Sequence, residues 1–327
     1  MTEDRDFDRS LAVLERLRDA VGSAVVGQKD VVEAALVALL CRGNLLLEGV
    51  PGLGKTLLVR ALASALGLAY SRIQFTPDLM PADILGTNIL SEEGGRRAFR
   101  FSRGPIFAHV VLADEVNRAT PKTQSALLEA MEERTVTVGG TTYPLGTPFV
   151  VLATQNPIEM EGTYPLPEAQ LDRFLFKVCV GYPSLDELLA ITARNTEGDG
   201  PALPSPVVSE HEVCAAQELV RDIPIARPLR EYVARLVLAT HPESPLAPAE
   251  VRSFVEYGAS PRAAVACILG AKAHALLAGE PNVRTVDIEA VFPLAFAHRV
   301  ILSFRGEAEG ISVPPLLARV WKETAVL

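Results

Sequence analysis

The stretch GVPGLGKT, residues 49–56, restricts the possible folds of this chain more than any other part of the sequence. It spends three of its eight positions on glycine and then places a lysine beside a threonine. A short apolar run over residues 44–47 precedes it and an amphipathic pattern over residues 56–66 follows it, so it connects a strand to a helix. Without side chains, successive backbone N–H groups can converge on phosphate oxygens at the positive end of that helix. The sequence therefore predicts a phosphate-binding loop.

Two side chains of this loop have predicted roles of their own. Lys55 would bring a positive charge to the β- and γ-phosphates of a nucleotide, and Thr56 would offer its hydroxyl to Mg²⁺. The alternative is an ordinary glycine turn that matches the pattern by accident, which the strand before it and the long helix after it disfavour. A nucleotide and Mg²⁺ are the predicted cofactors.

Two adjacent carboxylates follow another apolar run. Residues 109–113 read as a buried strand, and Asp114 and Glu115 come directly after it. Such a pair costs free energy at the end of a buried strand unless a cation or ligand lies there. We therefore predict that Asp114 binds Mg²⁺ through water and that Glu115 polarises the attacking water. The alternative is a solvated acidic turn.

A third strand, predicted over residues 149–154, also ends in polar residues. Because parallel strands bring their carboxyl ends to one edge of a sheet, Asn156 would orient the same water or contact the γ-phosphate. The alternative remains open, since the dipeptide of Asn156 and Pro157 is also a plain turn signal.

The remaining pattern predicts an α/β core followed by helices. Apolar runs over residues 69–75 and 175–180 add two strands, and helical segments separate several of the strands, as in a parallel sheet covered by helices. The sequence TVTVGGTTY, from Thr135 to Tyr143, predicts a β-hairpin. After Pro183 the composition becomes helical, so we predict a nucleotide-binding domain over residues 1–183 and a helical domain over residues 184–327.

The charge and hydropathy of the chain exclude some classes of protein. A net charge of −9 disfavours a broad contact with nucleic acid, and charged residues interrupt every apolar run before it reaches membrane-spanning length. The first residues contain acidic and basic side chains and lack the apolar core of a signal peptide. A cytoplasmic location is predicted.

Longer stretches of the sequence resemble the MoxR family of AAA+ ATPases. They include VVGQ at residues 25–28, QFTPDLMPADILG at 74–86, GPIFAHVVLADEVNRA, FVVLATQNPIEMEGTYPLPEAQLDRF and GASPRA at 258–263. The resemblance spans most of residues 25–265, and its one evident departure, DEVNRA for the commoner DEINRA, is conservative. It implies a P-loop NTPase core with a parallel sheet and β-hairpin inserts, a smaller all-α lid, and a ring, commonly a hexamer, with ATP between subunits.

The resemblance also assigns residues to the site. Arg173, in LDRF, matches the arginine finger given to the neighbouring subunit, and Arg262, in GASPRA, matches the lid arginine called sensor 2; spacing alone favours ordinary surface ion pairs for both. With Glu115 and Asn156 they form the predicted catalytic set. The predicted nucleotide contacts are Val26, Gly27, Gly49, Pro51, Gly52, Leu53, Gly54, Lys55, Thr56, Leu57 and Asp114, of which Thr56 and Asp114 also serve Mg²⁺.

Residues 86–103 match a further insert of this branch. If the segment is extended, Arg97, Phe99, Phe101 and Arg103 share one face and Arg96 and Arg100 the other. The two interpretations are a nucleic-acid contact and a solvated hairpin that packs both phenylalanines on the core, and the acidic chain favours the second.

The leading functional hypothesis is an ATP-driven motor or chaperone that activates a partner protein, which by family resemblance often contains a von Willebrand factor A domain. The alternatives are a subunit of a magnesium-chelatase type, which powers metal insertion into a porphyrin, and a nucleic-acid motor. A GTP switch is disfavoured because no NKxD motif, which would recognise guanine, follows the loop. No zinc-ligand spacing or helix-turn-helix pattern indicates a nucleic-acid-binding domain.

Overall fold

The computed structural model describes residues 2–93, 96–157, 162–197 and 202–325. Its strands, in chain order, are β1 (Leu45–Glu48), β2 (Tyr70–Gln74), β3 (Gly86–Glu93), β4 (Arg96–Arg103), β5 (Val110–Asp114), β6 (Thr135–Val138), β7 (Thr141–Pro144), β8 (Val150–Gln155), β9 (Phe176–Cys179), β10 (Val255–Tyr257) and β11 (Ile301–Leu302). Its helices are α1 (Thr2–Ala24), α2 (Lys29–Leu40), α3 (Lys55–Leu66), α4 (Pro81–Leu85), α5 (Pro121–Glu133), α6 (Glu168–Leu171), α7 (Leu185–Thr196), α8 (Glu210–Asp222), α9 (Arg227–Ala239), α10 (Ala249–Phe254), α11 (Pro261–Leu277), α12 (Thr285–Phe296), α13 (Phe304–Ala308) and α14 (Val313–Glu323).

Five of these strands form one parallel sheet in the order β2, β5, β8, β1, β9. The three central strands, β5, β8 and β1, are short and mostly apolar, and β5 is buried along its whole length, as expected for a sheet covered on both faces. The register sets Glu48 beside Gln155 and Gln74 beside Asp114, so the carboxyl ends lie along one edge. The predicted α/β class with a parallel sheet is confirmed.

Alternate side chains of β1 enter two apolar layers. Leu45 and Leu47 pack with residues of α1, α2 and α3 and of the C-terminal helices, whereas Leu46 packs on the other face with α5 and the β6–β7 hairpin. All three leucines are fully buried, and each such burial is worth about 1.5–3 kcal/mol. The phosphate-binding loop therefore leaves a strand that is held on both sides.

Both predicted inserts are antiparallel hairpins. β6 pairs with β7 as predicted from TVTVGGTTY, and β3 pairs with β4, with residues 86–93 opposite residues 96–103. Phe101 stacks on Tyr143 with ring centroids 4.2 Å apart and meets Phe107 edge to face, so the two hairpins pack together. Phe99, in contrast, is 78% exposed. The expectation that both phenylalanines pack on the core was wrong for Phe99, whereas Phe101 is half-buried and packs on Phe107, which itself lies against the core. The side chain of Arg96 lies outside the described part.

The C-terminal part is helical, from α7 to α14, apart from the short antiparallel pairing of β10 with β11. Its contact with the core includes a charged cluster: His274 of α11 lies 3.0 Å from Glu33 of α2 and 2.8 Å from the buried Asp287. Hydrogen bonds to Asp287 and Glu33 raise the pKa of His274 to about 9, so the imidazolium links helices of both parts at neutral pH. The predicted boundary near Pro183 falls between β9 and α7 and stays a prediction.

Candidate nucleotide site

The GVPGLGKT loop leaves the end of β1 and enters α3 at Lys55. Gly52 and Gly54 have φ values of +86° and +78°, a left-handed conformation that glycine adopts without the steric cost that a Cβ would bring. Gly54 is also the residue that caps α3, so the unpaired N–H groups of the first helical turn face the loop. The local backbone is that of an anion-binding loop at a helix N-terminus.

The ammonium of Lys55 is held over this loop. Its Nζ donates to the carbonyl oxygens of Gly49 and Val50, the latter at 3.2 Å. Partial burial lowers the pKa of Lys55, while the nearby carboxylates of Asp114 and Glu115 act in the opposite direction. The positive charge therefore lies between the glycine-rich backbone and the acidic pair, where a phosphate chain would need it.

Thr154, at the end of β8, organises the acidic pair. Its hydroxyl donates to Oδ1 of Asp114 at 2.6 Å and accepts the backbone N–H of Glu115 at 2.8 Å. Glu115 has a φ of +59°, which is uncommon for a residue with a side chain and turns its carboxylate away from the direction of β5. Because Thr154 holds both residues, the two carboxylates have separate and fixed positions.

Further polar side chains that our sequence analysis missed complete the acidic cluster. Arg72 of β2 donates from Nε to Oδ2 of Asp114 at 3.1 Å, and Gln74 donates to Oε2 of Glu115 at 2.9 Å. Arg118 lies 3.0 Å from the same oxygen of Glu115. A signal was available for two of them, since Arg72 and Gln74 alternate along a predicted strand and so share one face.

These groups surround a cavity of about 490 Å³ at the carboxyl edge of the sheet. Asn156 also lines it and is buried, so the structure brings this predicted residue together with Lys55, Asp114 and Glu115. The full lining is Pro51, Gly52, Leu53, Gly54, Lys55, Thr56, Leu57, Arg60, Arg72, Asp114, Glu115, Thr154 and Asn156. One cavity thus contains cationic, carboxylate, hydroxyl and amide groups, as a triphosphate site requires.

A second cavity, of about 410 Å³, adjoins the first along the loop from Pro51 to Leu57. Apolar side chains dominate its wall, with Val25 and Val26 on one side and Leu188 and Ile191 of α7 on the other. Its apolar composition suits a planar base, and Val26, which was predicted to lie near the base, lines it. Gly27 does not line it, because this residue packs against Glu187 at the start of α7.

The residues predicted for Mg²⁺ fit that ion by their chemistry. Thr56 and Asp114 line the same cavity and supply a hydroxyl and a carboxylate, which are oxygen ligands of the kind that Mg²⁺ prefers. Thr154 and Arg72 already donate to the two oxygens of Asp114, which agrees with a contact to the ion through water.

The two arginines with predicted catalytic roles, Arg173 and Arg262, lie at the edge formed by the amino-terminal ends of the strands. Arg173 precedes β9, and the next-but-one residue, Leu175, donates its N–H to Asn44 just before β1. The phosphate-binding loop follows the opposite end of β1, so the full length of the strand separates Arg173 from its own loop. The structure therefore does not bring Arg173 together with Lys55, Asp114 and Glu115.

Arg262 lies with Arg173 and not with the nucleotide cavity. Both arginines bind Glu132 at the end of α5, with N–O distances of 2.8 Å for Arg262 and 3.1 Å for Arg173. Arg262 is also 3.6 Å from Asp172. They line a separate depression of about 300 Å³ that also contains Arg42, Arg134 and Arg299. One face of the chain thus presents the nucleotide-binding groups, and another presents clustered guanidinium groups.

Comparison with known proteins places this geometry in a family. The family model for ATPases associated with various cellular activities (AAA) matches residues 44–176, and the model for the AAA lid domain matches residues 248–319. The first match contains the phosphate-binding loop, the acidic pair and Arg173. The second contains Arg262 and Arg299.

Relatives match over nearly the whole chain. Chaperone MoxR1 of Mycobacterium tuberculosis is 46% identical over 96% of this chain and 82% of its own length. Protein MoxR of Methylorubrum extorquens is 32% identical over 94% of this chain and 93% of its own length. The crystal structure of a candidate ATPase from Cytophaga hutchinsonii covers 100% of this chain and 98% of its own, with a TM-score of 0.92 and 40% identity. With the site described above, these matches show that the chain belongs to the MoxR family of AAA+ ATPases.

Proposed function

We propose that the chain hydrolyses ATP to ADP and phosphate in a ring of subunits, commonly six, and uses this reaction to remodel or activate a partner protein. The observation that carries the proposal is the cavity in which Lys55, Asp114, Glu115 and Asn156 meet beneath the glycine-rich loop. The loop amides and Lys55 would bind the phosphates, while Glu115 would take a proton from the attacking water that Asn156 orients. Mg²⁺ bound near Thr56 and Asp114 would neutralise charge on the β- and γ-phosphates.

The placement of the arginines supports assembly into a ring. Arg173 and Arg262 lie on the face opposite the nucleotide cavity of their own chain, so each would reach a nucleotide only in a neighbouring subunit. A head-to-tail contact of this kind, repeated around a closed ring, gives every cavity one pair of arginines. Guanidinium groups would then stabilise the charge that spreads over the transferred phosphoryl group.

Nucleotide binding is the first step to test. Isothermal titration calorimetry on the folded chain with Mg²⁺ should detect binding of ATP, and Lys55→Ala should weaken it by about tenfold to a hundredfold, since one charge-assisted contact to phosphate is lost. Lys322→Ala, on the exposed side of α14, is the matched control and should bind like the wild type. A wild-type chain with no heat of ATP binding would refute the proposed function.

The partner is the finer part of the proposal. Chaperone MoxR1 is a chaperone by name, which supports a protein client, and a von Willebrand factor A domain protein is the client that we propose. Glu115→Gln protein immobilised with ATP should retain such a protein from a lysate of its own organism, and buffer with ADP should release it. If mass spectrometry finds no protein with this domain among those released by ADP, this client assignment is wrong.

Within the described ranges no helix is both long enough and apolar enough to span a membrane. The cytoplasmic location and the magnesium-chelatase and nucleic-acid alternatives stay predictions, and no contact among the described residues favours either alternative.

A further inference from the structure

Arg299, which follows α12, is the most buried guanidinium in the described part of the face that carries Arg173 and Arg262. Its side chain is 3% exposed. Burying a guanidinium costs free energy unless every N–H group finds an acceptor, so a chain that keeps one in its interior needs a compensating arrangement. The contacts of Arg299 supply that arrangement and also indicate what it does.

All five N–H groups of Arg299 have acceptors. Nε donates to Oδ1 of Asp172 at 2.7 Å. Nη1 donates to the carbonyls of Leu175 at 3.1 Å and Ala295 at 2.5 Å. Nη2 donates to the carbonyls of Asp172 at 3.0 Å and Phe174 at 2.6 Å. Four of these five acceptors belong to residues 172–175. One lid side chain therefore fixes the backbone immediately before and after Arg173.

Two more lid side chains hold the same segment. His298 lies with Nε2 3.2 Å from the carbonyl of Phe174; because a carbonyl can only accept, Nε2 carries the proton. Burial, with the neighbouring charge of Arg299, lowers the pKa of His298 to about 3, so the ring is neutral at all ordinary pH values. Ser260, two residues before Arg262, donates to Oδ1 of Asp172 at 2.8 Å.

We propose that Arg299 is a positioning residue for ATP hydrolysis in the neighbouring subunit: it locks residues 172–175 to the lid, so that Arg173 and Arg262 are presented as one block. This inference rests on the proposed function, in which those two arginines act across a subunit interface. Asp172 joins the parts of the block, because it accepts from Arg299 and Ser260 and lies beside Arg262. Arg299 itself is buried within its own chain and does not reach the neighbour's nucleotide.

The expected defect is in the rate of hydrolysis and not in nucleotide affinity. Arg299→Gln leaves the nucleotide cavity of its own chain intact but frees the Arg173 segment, so ATP should bind within about twofold of wild type while kcat falls by about a hundredfold, the cost of a misplacement near 1 Å. Val320→Ala, in the buried face of α14, is the matched control that lowers lid stability without touching residues 172–175. At a temperature where both variants are folded, the control should keep near-wild-type kcat.

Mixed rings separate positioning from general damage. Subunits with Glu115→Gln lack the base but keep Arg173 and Arg299, so mixing them with Arg299→Gln subunits creates interfaces that have both a working cavity and a working finger. In an equal mixture, about a quarter of the interfaces have this composition, so ATPase activity should reappear. Mixing Arg299→Gln with Arg173→Ala should restore nothing, because both supply defective fingers.

Each outcome decides a specific question. If Arg173→Ala is rescued by Glu115→Gln but Arg299→Gln is not, the finger acts between subunits and our assignment of Arg299 is wrong. If neither variant is rescued, the proposed action across the interface fails. Should Arg299→Gln not fold, Arg299→Lys decides the question: it keeps the charge at Asp172 but cannot contact all three carbonyls of residues 172–175, so unchanged kcat in that variant overturns the proposal.

Discussion

Replacing Glu115 with glutamine should leave ATP bound and lower kcat by a factor of about 10² to 10⁴, the usual contribution of a general base. Glutamine has the size of glutamate but cannot accept a proton from water. The backbone at this position keeps its hydrogen bond to Thr154 in the variant, so the left-handed turn and the position of Asp114 should persist. Phosphate release at saturating ATP measures kcat, and calorimetry measures affinity.

The control for this variant is Glu307→Gln, an exposed glutamate of α13, which should hydrolyse ATP like the wild type. Equal turnover in the Glu115→Gln protein would remove Glu115 from the role of base. A loss of ATP binding would point elsewhere: the contacts of Glu115 with Gln74 and Arg118 would then be needed to maintain the cavity.

The parts of the site that were predicted from sequence are those in which short stretches determine both structure and chemistry. The loop residues from Gly49 to Thr56 require a strand before them and a helix after them, and the acidic pair directly follows an apolar strand. Each inference uses neighbours in sequence, and the structure brings Lys55, Asp114, Glu115 and Asn156 into one cavity. Their catalytic roles are still predictions.

The parts that could not be predicted depend on contacts between distant residues. Thr154 matters because β8 lies beside β5, and Arg72 matters because β2 lies on the other side of β5. Strand order is not visible in a single apolar run, so neither contact follows from spacing. The same holds for the packing of the lid, which brings Arg299 to a loop 124 or more residues earlier in the chain.

The prediction that Phe99 is packed was wrong for a related reason. Alternation correctly places Phe99 and Phe101 on one face of the hairpin, but it does not say how far the core extends beneath that face. Tyr143 of the second hairpin covers Phe101, and Phe99 lies beyond its reach and stays exposed. A periodic pattern thus predicts which face of a strand a side chain lies on, whereas its burial depends on whether another element packs against that face.

Replacing Arg173 with alanine should give the largest loss of activity, about 10³-fold to 10⁵-fold in kcat, because an arginine finger neutralises charge that develops only in the transition state. ATP affinity should change little, because the charge that Arg173 stabilises is absent from the bound ATP before the reaction. The free energy of unfolding should change little in this variant, because Arg173 is one-third exposed and its ion pair with Glu132 is accessible to solvent.

Mixed rings test whether the loss of activity in Arg173→Ala arises in the neighbouring subunit's site. In rings mixed with Glu115→Gln subunits, the alanine variant supplies a working cavity and its neighbour supplies a working finger, so activity should return at about a quarter of the interfaces. Isolated subunits that hydrolyse ATP as fast as the assembled ring would contradict the assignment, because hydrolysis would then not require the Arg173 side chain of a neighbouring subunit. Sedimentation under the assay conditions links each rate to an assembly state, so loss of the ring is not mistaken for loss of the finger.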